Sequence, residues 1–180
     1  MEVTTGDILL AEPFMKDENF KRTVILLCEH NDKGSFGLVL NRKVDLKVND
    51  VLPDFPTPNI ELYAGGPVGL DTLHFIHTYG DLIEGSIPVR EDVYWSGNFE
   101  QVKMLFETES IDPNRFRFFI GYSGWGPDQI ASEMETKSWI ISKNFNDVLL
   151  KDERLWNSIL EYMGGDYKFV SNFPEDPQLN

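Results

Sequence analysis

The chain has 180 residues, 41% of them hydrophobic and 13% aromatic, and a formal net charge of −14 at pH 7. That length fits one domain, residues 1–180, which can bury roughly 70% of the unfolded chain's surface, so neither a metal nor a disulfide is needed for stability. The charge opposes phosphate-led binding of duplex DNA, which needs a basic face, and no apolar run approaches the ~18 residues of a membrane span.

In chain order, Asp7–Ala11 is predicted as a short strand and Glu12–Phe20 as a loop. Thr23–Glu29 is nearly all apolar, which suits a strand buried on both faces. Asn31-Asp32-Lys33-Gly34 carries four turn residues, and Phe36–Asn41 is a second strand, so the two strands are expected to form a hairpin. Asn49–Leu52 reads as one helical turn ended by Pro53, and 54–59 as an extended loop. Strands follow at Ile60–Ala64, Thr72–Thr78 and Val93–Trp95. Phe99–Glu107 is a helix with Asn98 as its N-cap and Val102, Leu105 and Phe106 on one face. Phe116–Tyr122 is a strand, 128–135 a helix and Ser138–Ser142 a strand. A last helix, 153–163, is stopped by Gly164-Gly165, and the tail from 171 to 180 is irregular. Many strands among few helices, without regular alternation, imply an α+β fold with a mixed or mostly antiparallel sheet.

The segment after Ile120 is the densest in information. Gly121, Gly124 and Gly126 fall within six residues, interleaved with Tyr122, Ser123 and Trp125, and Pro127 follows. A strand, a tight aromatic turn and a helix start are expected, with glycine permitting close backbone approach. The free amides of that helix start could hold a carboxylate or phosphate. Gly121-Tyr122-Ser123-Gly124-Trp125 is one position away from the G-x-S-x-G nucleophile elbow, but Trp125 stands where a small residue is needed. Gly65-Gly66-Pro67 lacks the lysine and following helix of a phosphate loop.

The remaining reactive residues argue against metal and thiol chemistry. His74 and His77 are three apart on a strand and point to opposite faces, so they cannot share one ion. No spacing matches a zinc signature, and no metal or cofactor is expected. Cys28 lies in an apolar run and reads as a core residue. The opening MEVTTGD has neither the basic nor the apolar region of a secretory signal, and a lone cysteine fits a reducing compartment, so a cytoplasmic protein is expected. Charge is uneven. Residues 51–113 hold two basic residues against eleven acidic ones, whereas the short basic group Arg42, Lys43 and Lys47 has Lys21 and Arg22 upstream.

Several stretches together resemble one family. GDILLAEPFMKDENFKRTVILLCEHNDKGSFGLVLNR at 6–42, YAGGPV at 63–68, LHFIH at 73–77, GYSGWGPDQI at 121–130, GGDY at 164–167 and the closing PEDPQLN are similar to the AlgH/YqgE family of bacterial proteins. The likeness runs the length of the chain. Departures are small: Asp128 stands where the family usually has glycine, Ile130 replaces a common leucine and Ala131 a common acidic residue. The resemblance implies one α+β domain whose small sheet is partly closed or bifurcated and wrapped by helices. It brings no catalytic residue or cofactor, and only a label of transcriptional regulator for some members.

The leading expectation is a non-catalytic binding or regulatory module for a small molecule or protein. Its surface would join Gly65, Gly66 and Pro67 to Tyr122, Ser123, Gly124, Trp125 and Gln129, with Arg22 and Asn41 the nearest polar residues. A small hydrolase using Ser123 or a carboxylate is one alternative, and a DNA-binding regulator using the 41–47 group is another.

Overall fold

One strand organises the molecule by changing partners along its length. The computed structural model describes residues 2–149, 151–152 and 154–174. Its strands are β1 (Ile8–Ala11), β2 (Val24–Asn31), β3 (Gly34–Val39), β4 (Lys43–Lys47), β5 (Glu61–Ala64), β6 (Val68–His77), β7 (Ile87–Arg90), β8 (Val93–Trp95), β9 (Phe116–Trp125) and β10 (Trp139–Ser142). Its helices are α1 (Val48–Val51), α2 (Phe99–Glu107), α3 (Gln129–Glu135), α4 (Leu155–Met163) and α5 (Gly165–Val170).

The pairing path is β10-β1-β2-β3-β9-β6-β8-β7, with β4 and β5 branching from β9. Along one edge, β9 runs antiparallel to β6. Along the other it pairs first with β5, in parallel at Phe118–Ile120, and then antiparallel with β3 at Ser123–Trp125. An edge carries one neighbour at a time, so β5 must leave where β3 arrives. The sheet is therefore bifurcated, mostly antiparallel and not closed, and the fold is α+β.

The handover explains the glycines. Gly121 has φ +67 and Gly66 φ +155, values that L side chains rarely adopt. A Cβ on Gly66 would lie 2.2 Å from the Tyr122 carbonyl, and one on Gly121 would lie 2.8 Å from the Gly66 oxygen. The two backbones touch, and no side chain fits between them.

Three apolar clusters result. Ile8, Leu10, Leu26, Leu38 and Phe119 pack under α4, whose Trp156, Ile159 and Leu160 are almost wholly buried. The opposite face of β1–β3 (Leu9, Ile25, Leu27, Val39) takes Trp125, Ile130 and Trp139 beneath α3. α2 buries Val102, Leu105 and Phe106 against Phe116 and Phe118. Asn98 caps α2, accepting from the Gln101 amide at 3.0 Å.

Several elements differ from the sequence reading. β9 continues through Trp125, not Tyr122, because Gly121 kinks the strand without ending it. β6 begins at Val68, not Thr72, with an irregularity between Val68 and Leu73. β4 and β7 were not expected. β4 is largely exposed and charged, and β7 contains Pro88 at the sheet's edge, where a missing N–H is tolerated. α4 starts at Leu155 and stops at Gly164 as expected, but α5 follows at once. Glu153, the expected start of α4, and 175–180 of the expected irregular tail lie outside the described residues.

Candidate functional site

Two side chains of the aromatic turn, Ser123 and Trp125, are held inside, while Gly124 and Gly126 are exposed. Trp125 is only 6% exposed. Its indole Nε1 donates to Glu133 at 3.0 Å, and that same carboxylate oxygen accepts from Trp139 Nε1 at 2.6 Å. Gln129 donates to the other Glu133 oxygen at 2.8 Å and accepts from the Gly126 amide at 3.0 Å. These groups clasp α3 to the sheet. Asp128, before the helix, has φ +59 and no side-chain capping bond.

Ser123 is fully buried, and its Oγ donates to Gly65 O at 3.1 Å. Gly65 O also accepts from the Val39 amide at 2.9 Å. The serine thus ties the strand crossing together. Each histidine is engaged elsewhere: His30 Nδ1 with Ser35 Oγ at 2.7 Å, His74 Nε2 with Thr72 Oγ1 at 3.0 Å, and His77 Nε2 with Ser96 O at 2.8 Å. Burial pulls His74 and His77 below their ordinary pKa, so both are neutral at pH 7. His77 Nε2 accordingly donates to Ser96 O, and its Nδ1 accepts from the Tyr79 amide at 3.1 Å.

Gly65, Gly66, Pro67, Tyr122 and Ser123 therefore lie together at the handover, with Gly124 next in β9. Trp125 and Gln129 belong to the α3 clasp. Arg22 and Asn41 lie elsewhere, beside α4. Asn41 joins the two chain segments there: its Nδ2 donates to Arg22 O at 2.8 Å and its Oδ1 accepts from the Val24 amide at 2.9 Å. Arg22 is held at φ +53, a strained value for a non-glycine residue. Its guanidinium lies 4.9 Å from the Trp156 ring centroid and donates to Phe173 O.

Around these residues runs a polar groove. One hollow of about 330 Å³ is lined by Glu18, Lys21, Arg22, Asn41, Arg42, Trp156 and Asn157. It shares Asn41 and Arg42 with a second, of about 440 Å³, lined also by Lys43, Glu61, Tyr63 and Lys151. Arg42 Nη2 donates to two main-chain oxygens, Lys21 O at 2.9 Å and Glu18 O at 3.1 Å. At the far end Lys43 pairs with Glu61 at 2.5 Å and holds that carboxyl below its ordinary pKa. Burial raises the Tyr63 hydroxyl, and the buried Arg117 lies 4.8 Å from the Tyr63 ring and donates to Leu40 O at 2.8 Å. Lys21, Arg42, Lys43, Arg117 and Lys151 escaped the sequence-derived set of site residues. The basic cluster itself was visible, but its convergence with Lys151 depends on α4 folding back.

No helix among the described residues is long and apolar enough to cross a membrane, and no group of three or more His, Cys, Asp or Glu among them could hold a metal.

An open, bifurcated α+β sheet of this kind is found in protein DIP2367 of Corynebacterium diphtheriae, with TM-score 0.79, 23% identity, and coverage of 96% of this chain and 94% of that one. It is also found in the AlgH protein from Pseudomonas aeruginosa, with TM-score 0.74, 26% identity, and coverage of 97% and 98%. In sequence the chain is 44% identical over 181 residues to a UPF0301 protein of Cytophaga hutchinsonii, covering 99% of this chain and 100% of the relative. It is 44% identical over 177 residues to one from Chlorobium limicola, covering 97% and 95%. The AlgH-like family model matches residues 8–168, and the chain belongs to that family.

Proposed function

We propose that this AlgH-like chain is a non-catalytic, cytoplasmic binding or regulatory module that recognises a small anion, a carboxylate or phosphate, in the groove beside α4. One observation carries the reading. Arg22 and Arg42 line one hollow, both oriented by main-chain oxygens, and among the described residues neither is paired with a carboxylate. A guanidinium fixed by carbonyls keeps its full charge for a ligand, and its planar fork suits carboxylate and phosphate. Lys21 adds a third cation to the same hollow.

Of the sequence-derived candidates, this reading keeps Arg22 as a ligand contact and Asn41 as its clamp. Tyr122 is left to a separate aromatic cluster. Gly65, Gly66, Pro67, Ser123 and Gly124 serve the strand handover, and Trp125 and Gln129 serve the α3 clasp. The serine form of the hydrolase alternative loses its support, because Ser123 Oγ is buried and spent on a carbonyl, while each histidine is engaged with another partner. The DNA-binding alternative is weakened by Glu18, Glu61 and Asp152, which line the same groove.

The test is thermal unfolding and calorimetric titration with inorganic phosphate and with citrate, against chloride at matched ionic strength. A bound anion at one hundred times its Kd is expected to stabilise the fold by about 2.7 kcal/mol. Arg42→Gln should abolish the effect and Lys21→Gln should weaken it. Lys21 makes no side-chain hydrogen bond among the described residues, so that variant is expected to fold normally. No stabilisation beyond the chloride control would overturn the reading.

A further inference from the structure

Three of the four tryptophans have an acceptor for their indole N–H. Trp125 and Trp139 share Glu133, and Trp156 donates to Ala11 O at 2.9 Å. The fourth does not: Trp95 Nε1 is shielded from solvent with no partner among the described residues. Native folds satisfy nearly all buried donors, so this exception needs an explanation.

Trp95 sits at the end of an aromatic cluster on the sheet face that α4 covers elsewhere. Its ring stacks on Phe36 with centroids 4.6 Å apart. Phe36 in turn lies 4.9 Å from Tyr122 and 5.1 Å from His74. All four rings are only partly buried, at the margin of the core. Ile87, the cross-strand partner of Trp95, is 43% exposed. The cluster carries no formal charge at pH 7, since His74 is neutral there. It therefore differs in kind from the cationic groove, and nothing in it favours an anion.

Flat aromatic surfaces bind planar rings by offset stacking, a mode that tolerates any base-like ring. A ligand with an acceptor atom on its edge would also satisfy the orphan indole, once the side chains that shield Nε1 turn aside. We propose that Phe36, His74, Trp95 and Tyr122 form a second site, for an uncharged planar heteroaromatic ring of the nucleobase type, whose edge acceptor takes the Trp95 N–H. Phe36 is already stacked on Trp95, so Tyr122, the ring next to it, supplies the stacking surface. This site stands apart from the anion groove and does not depend on it.

The test is an amide and indole NMR titration of the ¹⁵N-labelled full chain with adenine, with indole as a ring that has a donor but no acceptor. The Trp95 indole signal is identified by its loss in Trp95→Phe. Adenine at millimolar concentration should move that signal downfield and leave the other three indole signals in place. Indole should cause no downfield shift. Tyr122→Leu should weaken adenine binding at least tenfold, and Lys21→Gln should leave it unchanged. If Tyr122→Leu fails to fold, the wild-type titration alone decides. An unmoved Trp95 signal, or equal shifts with adenine and indole, would overturn the site.

Discussion

Glu133 is an instance of a single side chain whose job cannot be read from its position in the sequence. It lies on a short exposed helix, among residues that look like ordinary solvated helix surface. Yet one of its oxygens accepts both the Trp125 and Trp139 indoles, and the other accepts Gln129. The clasp joins residues up to fourteen positions apart, Trp125 to Trp139, on three elements, so no local pattern reveals it. Trp125 was itself ambiguous, because the direction of its ring depends on whether β9 ends at Gly121 or passes through it. With the ring buried, Trp125→Ala is expected to cost about 3–5 kcal/mol. Glu133→Ala, which leaves two indole donors without their acceptor, is expected to cost about 1–3 kcal/mol. Both are measured by urea unfolding. A Trp125→Ala loss below about 1 kcal/mol would place the ring outside the packed core.

At the scale of elements, legibility followed burial. β1, β2, β3, β5, β10 and α2 were readable because each puts apolar residues on a face that must be covered, which leaves a period in the sequence. β4 and β7 lie at sheet edges, where charge and proline are tolerated and the period is lost. The start of β6 hid behind Gly65-Gly66-Pro67-Val68-Gly69, which resembles a loop. The glycine-rich segments were legible as places of close backbone approach, but their contact is mutual and only topology supplies the partner. This gives a sharp contrast. Gly66→Ala would force a Cβ to 2.2 Å from the Tyr122 backbone and is expected to cost more than about 3 kcal/mol or to prevent folding. Gly164→Ala meets nothing within 4 Å and should cost only the penalty of its backbone, φ +69 and ψ −166, a region essentially confined to glycine, about 1–3 kcal/mol. Equal Tm losses in the two variants would show that the crossing is not tightly packed.

For the whole molecule, the distribution of charge matters more than its sum. The chain has 16 Lys and Arg against 30 Asp and Glu. Six of those cations, Lys21, Arg22, Arg42, Lys43, Arg117 and Lys151, line the polar hollows beside α4 and β5. The other ten face nearly the whole acidic complement. Such a molecule repels a polyanion at long range and attracts an anion only at the mouth of the groove. Duplex DNA presents one charge per roughly 1.7 Å of axis and needs a continuous basic face to displace its counterions. The groove instead carries Glu18, Glu61 and Asp152 among its cations, and Glu61 is already paired with Lys43. Repulsion between surface charges fades beyond a Debye length of about 10 Å at 0.1 M salt. A small anion inside the hollow is within that distance of Arg22 and Arg42, whereas a duplex lying across the surface meets mostly carboxylates. The expected outcome of a gel-shift with duplex DNA at physiological salt is therefore no complex, with phosphate still binding under the same conditions. Sub-micromolar DNA binding that weakens steeply with salt would require a basic face absent from this arrangement, and would move the chain's ligand from a small anion to a nucleic-acid backbone.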